Sequence, residues 1–185
     1  AGYILQHWLL NAKNMGVPQK RERVFFIGLR KDLCDKFLYN KDLFTRVPYI
    51  DMNFNETEIL LEEFADYNGR EIPQGVLKYW KERTEKDKSI GDIVMRKDNR
   101  LSMFNNMLLR KGDVCNTISA MEDRLIYYDY PKYMSAHDTI LASSFPIDYN
   151  FDDMKPWFAC GMCVPPVMMA NVAERIWEHW LSKLI

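Results

Sequence analysis

At 185 residues, 48% of them hydrophobic and 14% aromatic, the chain can bury the core of one domain or of two small lobes. A net charge of −1 and a pI near 6.4 give no global basic field, so any nucleic-acid contact must come from local clusters within a cleft. No unbroken membrane-length apolar run and no secretory leader pattern is present, and four cysteines are too few for a disulfide scaffold; the expectation is a soluble, cytoplasmic protein with reduced thiols and no membrane partner.

The chain opens on Ala1-Gly2-Tyr3 rather than on methionine, as expected of a piece of a longer protein or one subunit of a split one. Residues 3–10 and 23–29 read as two strands, a hairpin-like pair at the edge of a larger sheet. Between them Gly16 and Pro18 impose a turn, because Gly tolerates strained backbone angles and Pro fixes φ. Gln19, Lys20, Arg21, Glu22 and Arg23 then place a dense set of polar groups at the mouth of the apolar run Val24–Ile27. Charge alone would make this a solvated turn. The spacing argues instead for a phosphate or base edge held by the planar fork of an arginine.

Residues 32–54 are mixed and suit a loop. Asn55-Glu56-Thr57-Glu58 resembles a capping box, and Ile59, Leu60, Phe64 and Tyr67 recur at helical spacing up to Asn68-Gly69, predicting a helix there. A second helix is predicted from Pro73 through Trp80 and on into KERTEKDK, whose charges read as a solvated face. Strands are predicted for Gly91–Met95, Val114–Ile118 and Leu125–Tyr128. Ser135 is placed to cap a helix through the amide of Asp138, with Phe145-Pro146 stopping it. The last helix starts at Pro165-Pro166 and carries a stripe of Met169, Val172, Ala173, Ile176, Trp177, Trp180 and Leu184, expected to face a core or a missing lobe.

Other constellations are weaker. Cys160 and Cys163 have Cys-x-x-Cys spacing, which would suit a redox dithiol or half a zinc site, but Cys34 and Cys115 stand alone. His7, His137 and His179 show no ligand spacing, so no metal is expected. The acidic pairs Glu62-Glu63 and Asp152-Asp153 read as solvated.

Three segments, in this order, resemble the DNA cytosine-5 methyltransferases. The turn and strand around Gln19, Arg21 and Arg23 are similar to that family's eighth motif, Gln-x-Arg-x-Arg. Residues 132–149, with Ser135 at the helix cap and Phe145-Pro146-Ile147-Asp148-Tyr149, are similar to the ninth. Gly161-Met162-Cys163-Val164-Pro165-Pro166 is similar to the tenth. His137, Asp138 and Leu141 replace the usual Arg, Glu and Arg of the ninth motif, and Met162 replaces the usual Asn of the tenth. The family's glycine-rich cofactor loop, its catalytic Pro-Cys and its Glu-Asn-Val are missing from this chain.

The resemblance implies an α/β fold: the C-terminal part of a Rossmann-like methyltransferase, with catalytic-domain strands over 1–31, an inserted α+β target-recognition lobe over 32–130, and a segment 131–185 returning to the catalytic domain. It implies methyl transfer from S-adenosylmethionine to C5 of a cytosine flipped out of double-stranded DNA, as in a restriction-modification or phage-type modification enzyme. Arg23 would donate to the cytosine O2, Arg21 would reach phosphate or neighbouring active-site groups, and Gln19 would brace the loop. Gly161, Cys163 and Val164 would line the cofactor side. Arg96, Lys97, Arg100, Asn105, Asn106, Arg110 and Lys111 would contact DNA. The catalytic cysteine would come from a missing N-terminal portion or a partner subunit, leaving this chain inactive alone. The alternative is a non-catalytic DNA-binding or regulatory module built on the same fold.

Overall fold

The computed structural model describes residues 2–37, 47–102 and 106–185. Strands β1 (Tyr3–Asn11) and β2 (Glu22–Arg30) pair antiparallel, from Tyr3 opposite Arg30 to Asn11 opposite Glu22. Their alternation sorts the side chains cleanly. Trp8, Leu10, Phe25, Ile27 and Leu29 face the core, whereas Leu5, Leu9, Val24 and Phe26 face outward and stay exposed. Gly16, at φ +70°, turns the connecting loop through the left-handed region, as its residue type allows. A short helix α1 (Lys31–Cys34) follows β2.

The C-terminal helix α6 (Pro166–His179) lies against the inner face of this hairpin. Met168, Val172 and Trp180 are buried there with Leu10, Leu29, Ile50 and Met52. Burying side chains of this size contributes roughly 1.5–3 kcal/mol each. The Trp180 indole donates to the Pro48 carbonyl at 2.9 Å, so its one polar atom is satisfied inside the core. Gln6 fixes the same segment, donating to Pro48 O and accepting from the Ile50 amide. The buried row therefore runs Met168, Val172, Ile176, Trp180. The expected stripe overlaps it only in part: Met169, Ala173 and Trp177 are exposed, because the phase set at Pro165-Pro166 turns them outward.

The middle of the chain forms a lobe with two further cores. Helices α2 (Gln74–Trp80) and α3 (Ile90–Asp98) pack on a parallel pair, β3 (Met107–Leu109) beside β4 (Leu125–Tyr127). Several local expectations fail here. Gly91–Met95 lies within α3 rather than a strand. Ser89 accepts from the Asp92 amide at 3.1 Å while Asp92 accepts from the Ser89 amide, and this capping box outweighs the strand preference of Ile93 and Val94. The helix predicted after Asn55 is only a 3-10 turn over Leu61–Glu63. Its amides pair with distant carbonyls instead: Glu56 with Asn14, Leu61 with Asp113, Glu62 with Lys111. Helix α2 ends at Trp80 rather than continuing through KERTEKDK, where the Arg83 guanidinium caps the Trp80 ring at 3.5 Å. Val114–Ile118 makes one isolated bridge, Cys115 with Gln19, in place of a strand.

Helices α4 (Ala136–Ala142) and α5 (Pro156–Met162) close the second core, with Ile140, Ala142 and Cys160 buried against Leu61, Ile118 and Tyr127. Ser135 caps α4 by accepting from the Asp138 amide at 2.9 Å, as expected. By composition and length the stretch Pro156–Lys183 matches a membrane span. It is broken between α5 and α6, however, and the 14 residues of α6 extend about 21 Å, short of a bilayer's apolar thickness.

Candidate active-site wall and nucleic-acid cleft

The loop before β2 is held from inside by two polar side chains. Gln19, fully buried, donates to Ala142 O at 3.2 Å and Ser143 Oγ at 3.3 Å, and accepts from the Ile118 amide. It does brace the loop. Arg21 is also 0% exposed. Its Nη1 donates to Ile118 O at 2.9 Å and its Nη2 to Gly161 O and Cys163 O at 2.7 and 2.8 Å. Burial, followed by the charge on Arg23, lowers its affinity for a proton. Of the two partners expected for Arg21, phosphate or neighbouring groups of the site, the side chain reaches neighbouring groups of the chain itself. Its fork is engaged by three backbone carbonyls, and only Nε lacks a partner.

Arg23 differs. It sits on β2 opposite Leu10, half-buried, and its Nη1 donates to the Glu22 carbonyl at 2.8 Å. Among the described residues no carboxylate pairs with it, and it lies near enough to Cys163 to favour the thiolate there. One braced cation and one available cation therefore sit side by side at the strand mouth.

Gly161 is packed against the chain itself. A Cβ there would lie 2.3 Å from the Ser119 carbonyl carbon and the Ala120 amide nitrogen. Val164 packs on the hairpin core and the Cys163 carbonyl serves Arg21. The close approach at Gly161 accommodates protein backbone, and Val164 is only partly buried against the hairpin core. Met162, in contrast, is 66% exposed. Burial pushes the Cys160 thiol up to about 11 and also raises Cys163, against the pull of Arg21. Both are therefore thiols at neutral pH.

Asp138, fully buried, stands in the first turn of α4. It accepts from the Asp66 and Tyr67 amides at 3.0 and 3.3 Å and from the Tyr127 hydroxyl at 2.6 Å. Burial, then this carboxylate, raises the Tyr127 pKa, keeping the phenol a donor. His137 Nδ1 lies 2.9 Å from Asp138 and 3.5 Å from Asp66, so one imidazole spans a buried and an exposed carboxyl group. Asp66, His137 and Asp138 have ligand atoms close enough for a metal ion. Three donors are already directed at Asp138, the Asp66 and Tyr67 amides and the Tyr127 hydroxyl.

The residues expected to contact DNA are mostly engaged within the lobe. Arg96 pairs with buried Asp87 at 2.9 Å and donates to Glu82 O, and Lys97 pairs with Glu82. Arg100 bridges Asp98 and the Tyr79 hydroxyl. Asn106 donates to Asp123 O from a buried position, and Lys111 reaches the Tyr130 hydroxyl. Arg110 donates to the carbonyls of Glu85 and Asp87, both at 2.8 Å. Asn105 lies outside the described residues. Arg96, Lys97 and Arg100 nevertheless stay exposed, so their ion pairs lie at the surface of the lobe.

A family model described as C-5 cytosine-specific DNA methylase matches residues 1–178. The chain belongs to this family. Among curated proteins, type II methyltransferase M.MthTI of Methanothermobacter thermautotrophicus is 48% identical over 50 residues, 27% of this chain and 15% of that protein. Type II methyltransferase M.BsuRI of Bacillus subtilis is 54% identical over 39 residues, 21% of this chain and 9% of that protein. Two solved structures share the fold at low identity: Schizosaccharomyces pombe Dnmt2 methyltransferase (TM-score 0.57, 10% identity) and a putative prophage-encoded DNA modification methyltransferase of Escherichia coli (0.55, 16%). Each is covered over 96% of this chain, which spans only 58% and 61% of theirs.

Sequence reading missed one part of this candidate site. Thr117, Ile118 and Ser119 join the lobe to the braced loop: the Thr117 hydroxyl donates to Lys20 O and Ile118 bonds both Gln19 and Arg21. Only the polar Asn116-Thr117 flanked by buried Cys115 and Ile118 hinted at it.

Proposed function

We propose that this chain forms the target-recognition lobe and one active-site wall of a DNA cytosine-5 methyltransferase acting on double-stranded DNA. The methyl donor is S-adenosylmethionine, bound mainly by groups outside this chain; Gly161 packs against backbone and Val164 is partly buried. Supporting the reading is Arg23, whose guanidinium stays free of any carboxylate among the described residues while its neighbour Arg21 is locked in place. In this role Arg23 donates to the O2 of an extruded cytosine, where negative charge develops.

The remaining segments, with the catalytic cysteine and the cofactor loop, come from the rest of the protein or a partner subunit. The outward face of the β1–β2 hairpin, with Leu5, Leu9, Val24 and Phe26 all more than half exposed, is the apolar surface that would receive them. The hairpin is then the edge of a Rossmann-like sheet, and the segments around Gln19, Ser135 and Gly161 are the eighth, ninth and tenth motifs. A restriction-modification role is supported by curated relatives named type II methyltransferases. Four cysteines, all free, fit a reducing cytoplasm.

The test is transfer of labelled methyl groups to duplex DNA by this chain mixed with a segment carrying the family's Pro-Cys and cofactor loop. Arg23→Ala should slow transfer on the order of 100-fold, the cost of one lost transition-state donor. Unchanged rates remove Arg23 from the site. The exposed Met162, where a polar residue is usual, favours a second reading, a non-catalytic DNA-binding module; DNA binding without transfer beside a matched partner would establish it.

A further inference from the structure

A groove of about 490 Å³ opens between the braced loop and the recognition lobe. Its walls come from segments far apart in the chain: Lys20 of the loop, Lys86 and Lys88 from the stretch after α2, and Arg110 and Asn116 beyond β3. The backbone fixes this arrangement. The Lys20 amide donates to Cys115 O at 2.8 Å, the Leu108 amide to Lys88 O at 2.9 Å, and Arg110 ties down the carbonyls of Glu85 and Asp87. Lys20, Lys86 and Lys88 are exposed, and none forms an ion pair among the described residues. Glu85 and Asp113 also line the groove, so its four cations exceed its carboxylates by two.

Resting on the reading above, we propose that this groove seats the phosphodiester backbone of the DNA duplex, with Lys20, Lys86 and Lys88 as the phosphate contacts. A chain of net charge −1 that leaves three lysines converging on one groove unpaired concentrates positive potential there. Long, exposed lysine side chains suit such contacts, because phosphate binding fixes register and carries no sequence information. The same stretch read in sequence as a solvated helical face is thus redeployed. Because α2 ends at Trp80 and Arg83 stacks on that ring, the chain turns and delivers Lys86 and Lys88 to the groove. Lys20 belongs to the same braced loop that leads into β2 and Arg23.

The test measures binding of the chain to a fluorescent DNA duplex across a series of salt concentrations. Removing three phosphate contacts, in K20Q/K86Q/K88Q, should flatten the slope of log affinity against log salt by about 2.7. Over a four-fold rise in salt that is roughly 40-fold less loss of affinity than wild type suffers. A control, K31Q/K155Q/K183Q, changes three exposed lysines elsewhere and should keep the wild-type slope. Equal slopes for wild type and the groove variant overturn the groove while leaving the DNA reading standing. A wild-type chain that binds no duplex at low salt overturns both. Tighter binding to an RNA duplex of the same sequence overturns the assignment to DNA.

Discussion

Replacing Arg21 with methionine removes the cation that joins three backbone segments while keeping most of its aliphatic volume. The carbonyls of Ile118, Gly161 and Cys163 each lose a donor at 2.7–2.9 Å. A buried polar group left unsatisfied costs about 1–3 kcal/mol, so three would cost roughly 3–9. Relief of the desolvation suffered by a buried guanidinium acts the other way by several kcal/mol. Water reaching Cys163 O, which is only partly enclosed, lowers the cost further. A net loss of about 3 kcal/mol is expected. For a chain of this size each kcal/mol lowers the midpoint by roughly 2–4 °C, giving a fall of about 6–12 °C in thermal unfolding followed by circular dichroism. Arg21→Lys should lose about 2 kcal/mol, since a single ammonium lacks the rigid fork needed to serve three carbonyls. If Arg21→Met unfolds within about 1 kcal/mol of wild type, the buried clasp is not what holds these segments together.

Two glycines provide a contrast by urea unfolding. Gly161→Ala should destabilise by more than about 3 kcal/mol or prevent folding, because its Cβ would meet Ser119 backbone at 2.3 Å. Gly75→Ala, where a Cβ meets nothing within 4 Å inside α2, should stabilise by about 0.5–1 kcal/mol. Equal effects at the two positions contradict the packing described. A third expectation concerns pH. Burial alone would raise the Asp87 carboxyl, yet Arg96 and the Thr84 amide and hydroxyl outweigh it and hold the pKa below the ordinary value. Because the folded pKa is the lower one, the stability from Asp87 is present above about pH 3.9 and is lost as pH falls through the folded value. Urea midpoints should therefore drop less steeply in Asp87→Asn than in wild type as pH is lowered from about 5 to 3; parallel curves count against the pair.

The hairpin was legible because its two strands alternate in register and a Gly-Pro turn separates them. The α4 cap was legible for a similar reason, since Ser135 and Asp138 lie three residues apart. What escaped depended on partners remote in sequence. Arg21 looks like a surface cation until Ile118, Gly161 and Cys163 enclose it. Ile59 and Leu60 carry helical spacing, yet the flanking amides pair with Asn14, Asp113 and Lys111. In α3, Ser89 and Asp92 gave a valid local signal that β-branched Ile93 and Val94 masked. Density of charge along the chain does not show that Arg96, though exposed, also pairs with buried Asp87 nine residues earlier.

The hairpin and α6 share one core although they come from opposite ends of the described chain. The stretch from Asn55 to Cys163 is, for that core, a loop to be closed. Closure entropy rises only as the logarithm of length, so doubling or halving the insert shifts its contribution by only about 0.6 kcal/mol. Where the bonds of Thr117 and Ile118 to the braced loop are kept, the middle lobe can thus grow or shrink with little thermodynamic consequence for its scaffold.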